Sequence, residues 1–270
     1  MNLRIKLGRF FIRLGRFIES LAGVVMRPAD LVELNRLRYA ERPAVSSWGR
    51  ESVADIGLTD AEKDLFAQLP IKNGRVLVLD LGGGRDAIAL AKKGFEVVGV
   101  DFVKDLVAKA EKNAARHGVS IQGLVQEISQ LEVPSASFDL ALIFAAMYSS
   151  IPTLGRRLEM LQRIKAALKP EGYFLCQFLF DPDQKPNRRA ELARQAFALL
   201  TWGNRWRQPG DVIWGREFMH TFLSEDELRS EFGAAGFEVL YIQPQEIGIV
   251  RGAVLQKPAF RDLSQTTKEK

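Results

Sequence analysis

A glycine-rich turn between two aspartates is the chemically distinctive part of this chain. Asp80-Leu81-Gly82-Gly83-Gly84-Arg85-Asp86-Ala87 follows the apolar run RVLVLD at 75–80, and Asp101 closes a second such run, EVVGVD at 96–101. A turn of this kind between a strand and a helix bares backbone N–H groups to a ligand. An acid ending the next strand is placed to accept from ribose hydroxyls. Read literally, Gly82-x-Gly84-x-x-Ala87 with Asp101 matches a dinucleotide pattern. Asp80 argues otherwise, because its carboxylate sits where a pyrophosphate would have to approach. Hydride transfer of the short-chain type also needs a Tyr-x-x-x-Lys pair, which neither Tyr148 nor Tyr173 begins. Two acids and a glycine turn suit a ribose-bearing ligand that is cationic. A nicotinamide-dependent oxidoreductase and a catalytically silent cofactor-binding scaffold stay open as competing readings.

Few other side chains declare a chemistry. Cys176 is the single cysteine, which excludes a disulfide framework and a cysteine-built metal centre. With only His117 and His220 as histidines, no metal site is expected. Cys176 falls in an apolar run and reads as core, while His117 beside Gly118 reads as a helix C-terminus. Tyr148, Glu217 and His220 are the catalytic candidates, none of them marked as a general base by its neighbours. Trp202, Trp206 and Trp214, three of the four tryptophans, are interleaved with Arg205, Arg207 and Arg216. The 181–216 stretch holding most of them is too long for a plain connection. It is expected to lie over the ligand face as a substrate-binding lid, with a core-packing appendage as the alternative.

The elements that must position these residues alternate. Strands are predicted at 75–80, 96–101, 120–125, 138–144, 173–180, 237–243 and 248–256. Helices are predicted at 86–93, 103–117, 153–168 and 225–235, with a further helical stretch at 188–200 inside the insertion. That order is the pattern of a doubly wound, mostly parallel α/β sheet. Residues 28–74 read as an N-terminal helical or lid segment, in which Thr59-Asp60-Ala61-Glu62 starts a helix. The domain proper spans 75–257, and 258–270 reads as a flexible tail.

Charge separates an arm from this body. Residues 1–27 carry six basic side chains against Glu19 alone, leaving 32 basic and 32 acidic residues beyond them. The net charge of +5 therefore belongs to the arm, and a neutral body argues against a nucleic-acid partner. As a helix, 3–25 aligns Leu3, Leu7, Phe10, Leu14, Phe17, Leu21 and Val25, and the string LGRF recurs one heptad on. Arg13, Arg16 and Glu19 interrupt the apolar stretch, so it is expected neither to span a membrane nor to serve as a signal peptide. A basic amphipathic helix at an anionic membrane surface is the reading taken here, which makes the chain peripheral at an inner membrane face. A helix packed on the body or on a partner, and a mitochondrial presequence, are the alternatives.

Four blocks carry a resemblance: VLVLDLGGGRDAIALAKKGFEVVGVD at 76–101, LVQEISQLEVPSASFDLALI at 124–143, RRLEMLQRIKAALKPEGYFL at 156–175 and LSEDELRSEFGAAGFEVL at 223–240. In this order and spacing the chain, over about 55–256, resembles the class I S-adenosylmethionine-dependent methyltransferases of small molecules and lipids. The resemblance implies a Rossmann-like sheet of seven strands, the last antiparallel, with the cofactor over the carboxyl ends of the first strands. It places Asp80, Gly82, Gly83 and Gly84 at the methionine end of S-adenosyl-L-methionine, Asp101 on the ribose and Phe102 at the adenine edge. Glu127 and Ile128 take the positions that meet the adenine, and Phe144 and Ala145 those facing the methyl group. Glu127 stands where Asp is more usual, and no Asn-Pro-Pro-Tyr motif follows the fourth strand, which argues against nucleobase substrates. The implied activity is methyl transfer to a lipid or other apolar acceptor, with a soluble metabolite as the alternative.

Overall fold

The computed structural model describes residues 2–244 and 248–259. From residue 260 onward, the expected tail lies outside the described residues. Five helices precede the sheet: α1 (Leu3–Val25), α2 (Pro28–Ala40), α3 (Arg42–Trp48), α4 (Glu51–Ala54) and α5 (Asp60–Ala67). The alternating part runs through β1 (Gly74–Leu79), α6 (Arg85–Lys92), β2 (Phe95–Asp101), α7 (Lys104–Arg116), β3 (Gln122–Val125), β4 (Phe138–Ile143), α8 (Leu154–Ala167) and β5 (Leu168–Phe180). After it come α9 (Arg188–Leu200), β6 (Asp211–Trp214), β7 (Glu217–Phe222), α10 (Glu225–Ala234), β8 (Glu238–Ile242) and β9 (Val250–Gln256).

Strands β3, β2, β1, β4 and β5 pair in parallel in that order, and β9 runs antiparallel between β5 and β8. Both faces of the sheet are covered, which is why the strands read as continuous apolar runs. Along β1, Val76 and Val78 join one core while Leu77 and Leu79 join the other. The register sets Leu79 opposite both Val100 and Ile143. The chain therefore leaves β1, β2 and β4 side by side at one edge, with Asp80, Asp101 and Phe144 at the exits.

The insertion differs from the expected helix and irregular segment. It also forms the β6–β7 hairpin, which gives the sheet nine strands and carries the insertion past 216 to Phe222. Phe180 donates its N–H to Ile249 and Asp181 donates its own to Phe222. Successive N–H groups of a strand point to opposite edges, so β7 continues the edge of β5 that β4 leaves at Ile143.

Asn2 caps α1 through its side chain, and α1 ends where Arg27 must stay extended ahead of Pro28, the first residue of α2. The apolar side chains Leu3, Leu7, Phe10, Leu14 and Phe17 are 39–78% exposed, so this part of the arm does not pack on the body. Only its last turns dock. Val24 is buried, its carbonyl accepts the Asn204 N–H at 2.7 Å, and Arg27 Nε donates to the Trp202 carbonyl at 3.3 Å.

Candidate functional site

At the end of β1 the backbone reverses through Asp80 in a left-handed conformation (φ 62°), a strain that such sites often store. Gly82 and Gly84 continue the turn at φ 53° and 91°, and α6 begins at once. A Cβ on Gly82 would meet nothing within 4 Å, so this position is open. One on Gly83 would lie 2.2 Å from the Trp48 carbonyl, so that glycine admits the close approach of α3. Asp101 staples the turn to β2. Its Oδ2 accepts the Gly82 N–H and its Oδ1 the Val103 N–H, both at 2.8 Å.

A cleft opens here, at the carboxyl ends of β1 and β2. Asp80, Asp101, Phe102, Glu127 and Ile128 line it together with Val32 and Asn35 of α2 and Met147, Ser150 and Ile151 beyond β4. The lining contains three carboxylates and no Lys or Arg. Arg85, next to the turn, is drawn away by the buried Glu62, with two contacts of 2.6 Å, and by the Gly57 carbonyl. Burial, followed by the charges of Asp101, Asp86 and Glu217, holds the Asp80 carboxyl well above the usual carboxylate range. Burial also raises Asp101 to about 6 against the pull of its three backbone donors. Asp86 is raised to about 7, by burial and by Glu62, with Arg85 opposing. This is a site short of positive charge. A sulfonium and an ammonium group supply it, and each Asp101 oxygen, already holding one backbone N–H, keeps a second lone pair for a ribose hydroxyl, so the residues present fit S-adenosylmethionine.

Other residues singled out by sequence fall elsewhere. Glu127 is partly engaged, accepting from the Ser129 N–H and hydroxyl and lying 3.5 Å from Arg156. Phe144 is buried in the same core as Leu81 and Ile88, and Ala145 is exposed with its N–H on Gln177 Oε1 at 2.9 Å. Neither lines the cleft. The Tyr148 ring is enclosed by Phe222 and Phe232, and its hydroxyl is bound to Glu231, which also pairs with the buried Arg157. His220 is fully buried, with Nδ1 2.7 Å from Asp211 and Nε2 3.3 Å from Glu227. Burial opposes its charge, but those two carboxylates outweigh burial and raise its pKa. Tyr148 and His220 thus hold the insertion to the core rather than facing the cleft. Trp202, Trp206 and Trp214 are 58–73% exposed. Trp214 lines a groove against the end of α1, and Trp206 lies beside Pro28 and the start of α8, so none reaches the cofactor cleft.

Val32 and Asn35 of α2 had no signal in the sequence, since only folding brings that helix across the cleft. Met147, Ser150 and Ile151 were within reach of a reading that followed the chain past β4.

Residues 76–172 match the family model described as a methyltransferase domain. The ubiquinone biosynthesis O-methyltransferase of Cereibacter sphaeroides is 26% identical over 177 residues, covering 66% of this chain and 65% of that relative, just under two thirds of its length. Among solved structures, an S-adenosylmethionine-dependent methyltransferase from Methanosarcina mazei superposes with a TM-score of 0.59 at 22% identity, over 75% of this chain and 99% of that one. The 1,6-didemethyltoxoflavin-N1-methyltransferase of Burkholderia thailandensis, solved with bound S-adenosylhomocysteine, gives 0.58 at 20% identity, over 84% and 88%. The chain shares the class I fold of these methyltransferase structures.

Proposed function

We propose that the protein methylates the hydroxyl of an apolar, membrane-dissolved acceptor, using S-adenosylmethionine. The observation that carries the cofactor half is the cleft lined by Asp80, Asp101 and Glu127 without a cation. In this reading Asp101 accepts from the ribose, the open turn at Gly82 and Asp80 meet the methionine end, and Phe102, Ile128 and Glu127 surround the adenine. The cofactor supplies an electrophilic methyl group, and much of the acceleration comes from alignment of the acceptor with it.

The acceptor half rests on the arm and on the relative whose name specifies ubiquinone biosynthesis. No helix of the described residues is long and apolar enough to cross a membrane. An exposed row of Leu and Phe flanked by arginines is nonetheless suited to lie in an anionic interface, where each basic residue contributes roughly 1 kcal/mol. Full-length protein should sediment with vesicles containing phosphatidylglycerol and methylate a prenylated catechol held in them. Removal of residues 1–18 should abolish sedimentation and leave S-adenosylhomocysteine affinity unchanged, because those residues do not pack on the body. Sedimentation that survives the truncation refutes the arm as the membrane contact.

A further inference from the structure

We propose that α2 is a lid on the cofactor cleft and that Asn35 is its latch, so that the ligand enters and leaves only when this side chain lets go of β7. The inference rests on the S-adenosylmethionine reading of the cleft and adds how that site opens.

The cleft as it stands is too tight for a nucleoside. Its walls are the exits of β1 and β2, the segments beyond β3 and β4, and Val32 and Asn35 of α2. The free space between them is about 30 Å³, room for roughly two waters, against the ~300–1,000 Å³ of ligand pockets. One wall must therefore move. The strand exits belong to a sheet buried on both faces, and Asp101 ties them to the glycine turn. Helix α2 is held far less. Leu31 and Asn35 are its buried residues. Beyond them, the Tyr39 ring lies 6.5 Å from that of Phe102 between centroids, and the Tyr39 hydroxyl 3.6 Å from Met147 Sδ. Elements with few buried apolar contacts are those that open first.

The latch is a strand edge completed by a side chain. Thr221 of β7 donates its N–H to Gly210, on the β6 side. Strand N–H groups alternate between edges, so that of Phe218 faces away from β6. Strand β5 pairs with β7 only at Thr221 and Phe222, so no strand reaches the buried Phe218. Asn35 does. Its Oδ1 accepts the Phe218 N–H at 2.7 Å, and its Nδ2 donates to the Phe218 carbonyl at 3.2 Å. A side-chain amide carries both a donor and an acceptor, so it stands in for the peptide group of a neighbouring strand. Nδ2 also donates to the Ser150 carbonyl at 3.2 Å, closing α2 on the segment beyond β4 as well. Glu217, which begins β7, does not line the cleft.

Both ends of α2 are built to turn. Met26 and Arg27 are extended before it, and Glu41 is extended after it. Such junctions absorb the φ/ψ change of a rigid-body swing. Meanwhile Val24 keeps its carbonyl on the Asn204 N–H, and Val45 of α3 stays packed with Val103 and Leu106. Helix α2 can thus roll outward with both neighbours in place.

The test is hydrogen exchange of the full-length protein, read residue by residue by NMR, with and without S-adenosylhomocysteine. In ligand-free protein the Phe218 N–H and the interior amides of α2 should exchange through one common opening. That opening should be at least about tenfold more frequent than exposure of the Met219 N–H, which faces β6. Ligand at about 100 times its Kd should slow both sets by about 100-fold. Asn35→Leu, close in size but without either hydrogen-bonding group, should release S-adenosylhomocysteine about tenfold faster in stopped-flow displacement, with no fall in the association rate. A merely structural Asn35 would lower Tm and leave the release rate unchanged. A Phe218 N–H exchanging at the Met219 rate, α2 amides indifferent to ligand, or an unaltered release rate in Asn35→Leu overturns the latch. Where Asn35→Leu does not fold, exchange in the parent protein decides. Failure of the parent to bind S-adenosylhomocysteine overturns the cofactor reading instead, and the shared opening of α2 and Phe218 still decides the latch.

Discussion

Removing the Asp101 carboxylate should weaken S-adenosylhomocysteine binding by ~2–3 kcal/mol, or about 30- to 150-fold. The side chain is 1% exposed, and both its oxygens already accept backbone N–H groups of the turn. Asp101→Ala therefore removes the ribose acceptor and also frees the Gly82 N–H from β2. Asp101→Asn should do no better, because an amide can accept from one of the two N–H groups but presents a donor to the other. The pH dependence gives a second handle. With Asp101 near 6 in the free protein, binding that needs its ionised form should weaken about tenfold between pH 7 and pH 5. The Ala variant should weaken less over that range. Calorimetry on variants with a cooperative melt decides the matter. Affinity within twofold of the parent in Asp101→Ala would refute the ribose role.

The raised carboxyls carry a stability consequence whose sign is unusual. A native pKa above the unfolded value means that the folded state holds the proton more readily, so stability is lost as pH rises through about 6 for Asp101 and about 7 for Asp86. His220, also raised, has the same sign. The Tm of ligand-free protein should then be lower at pH 8.5 than at pH 5.5, and a Tm rising across that window rejects the argument. Arg157→Met should cost ~3–5 kcal/mol by leaving Glu231 buried without its partner, a fall of roughly 6–20 °C in Tm. A shift under about 2 °C would show the pair to be dispensable. Trp206→Ala with Trp214→Ala should change stability by less than about 0.5 kcal/mol per site, since both rings are exposed, while lowering methylation of a vesicle-held acceptor. Undiminished methylation at vesicles would deny these rings a part at the interface.

How much was legible followed from range along the chain. The β1–turn–α6–β2 block is local. Its apolar runs, its glycines and its two acids are read within 26 residues, and the cleft indeed forms around Asp80 and Asp101. Tyr148 and His220 were misleading for the opposite reason. Tyr148 finds its partner far off in sequence, in Glu231, while His220, inside β7, pairs with Asp211 across the hairpin and with Glu227 of α10. Partners of that kind leave no periodicity to read. The hairpin itself was hidden because β6 is only four residues long and carries Trp214, an aromatic that also suits an exposed lid.

The same reasoning explains why α2 matters more than its sequence suggests. Its buried residues are few, Leu31 and Asn35, so no strong apolar stripe marks it as part of the core. Its position is instead set by polar contacts at its middle and just before its start: Asn35 to β7 and the segment after β4, and Arg27 to the Trp202 carbonyl. Only Met26 and Arg27 separate α2 from α1. A helix held by directional hydrogen bonds is more narrowly placed than one held by apolar burial, which is non-directional. On the proposed membrane reading, the two extended residues between α1 and α2, Met26 and Arg27, set the angle between the arm and the helix whose Val32 and Asn35 line the cleft.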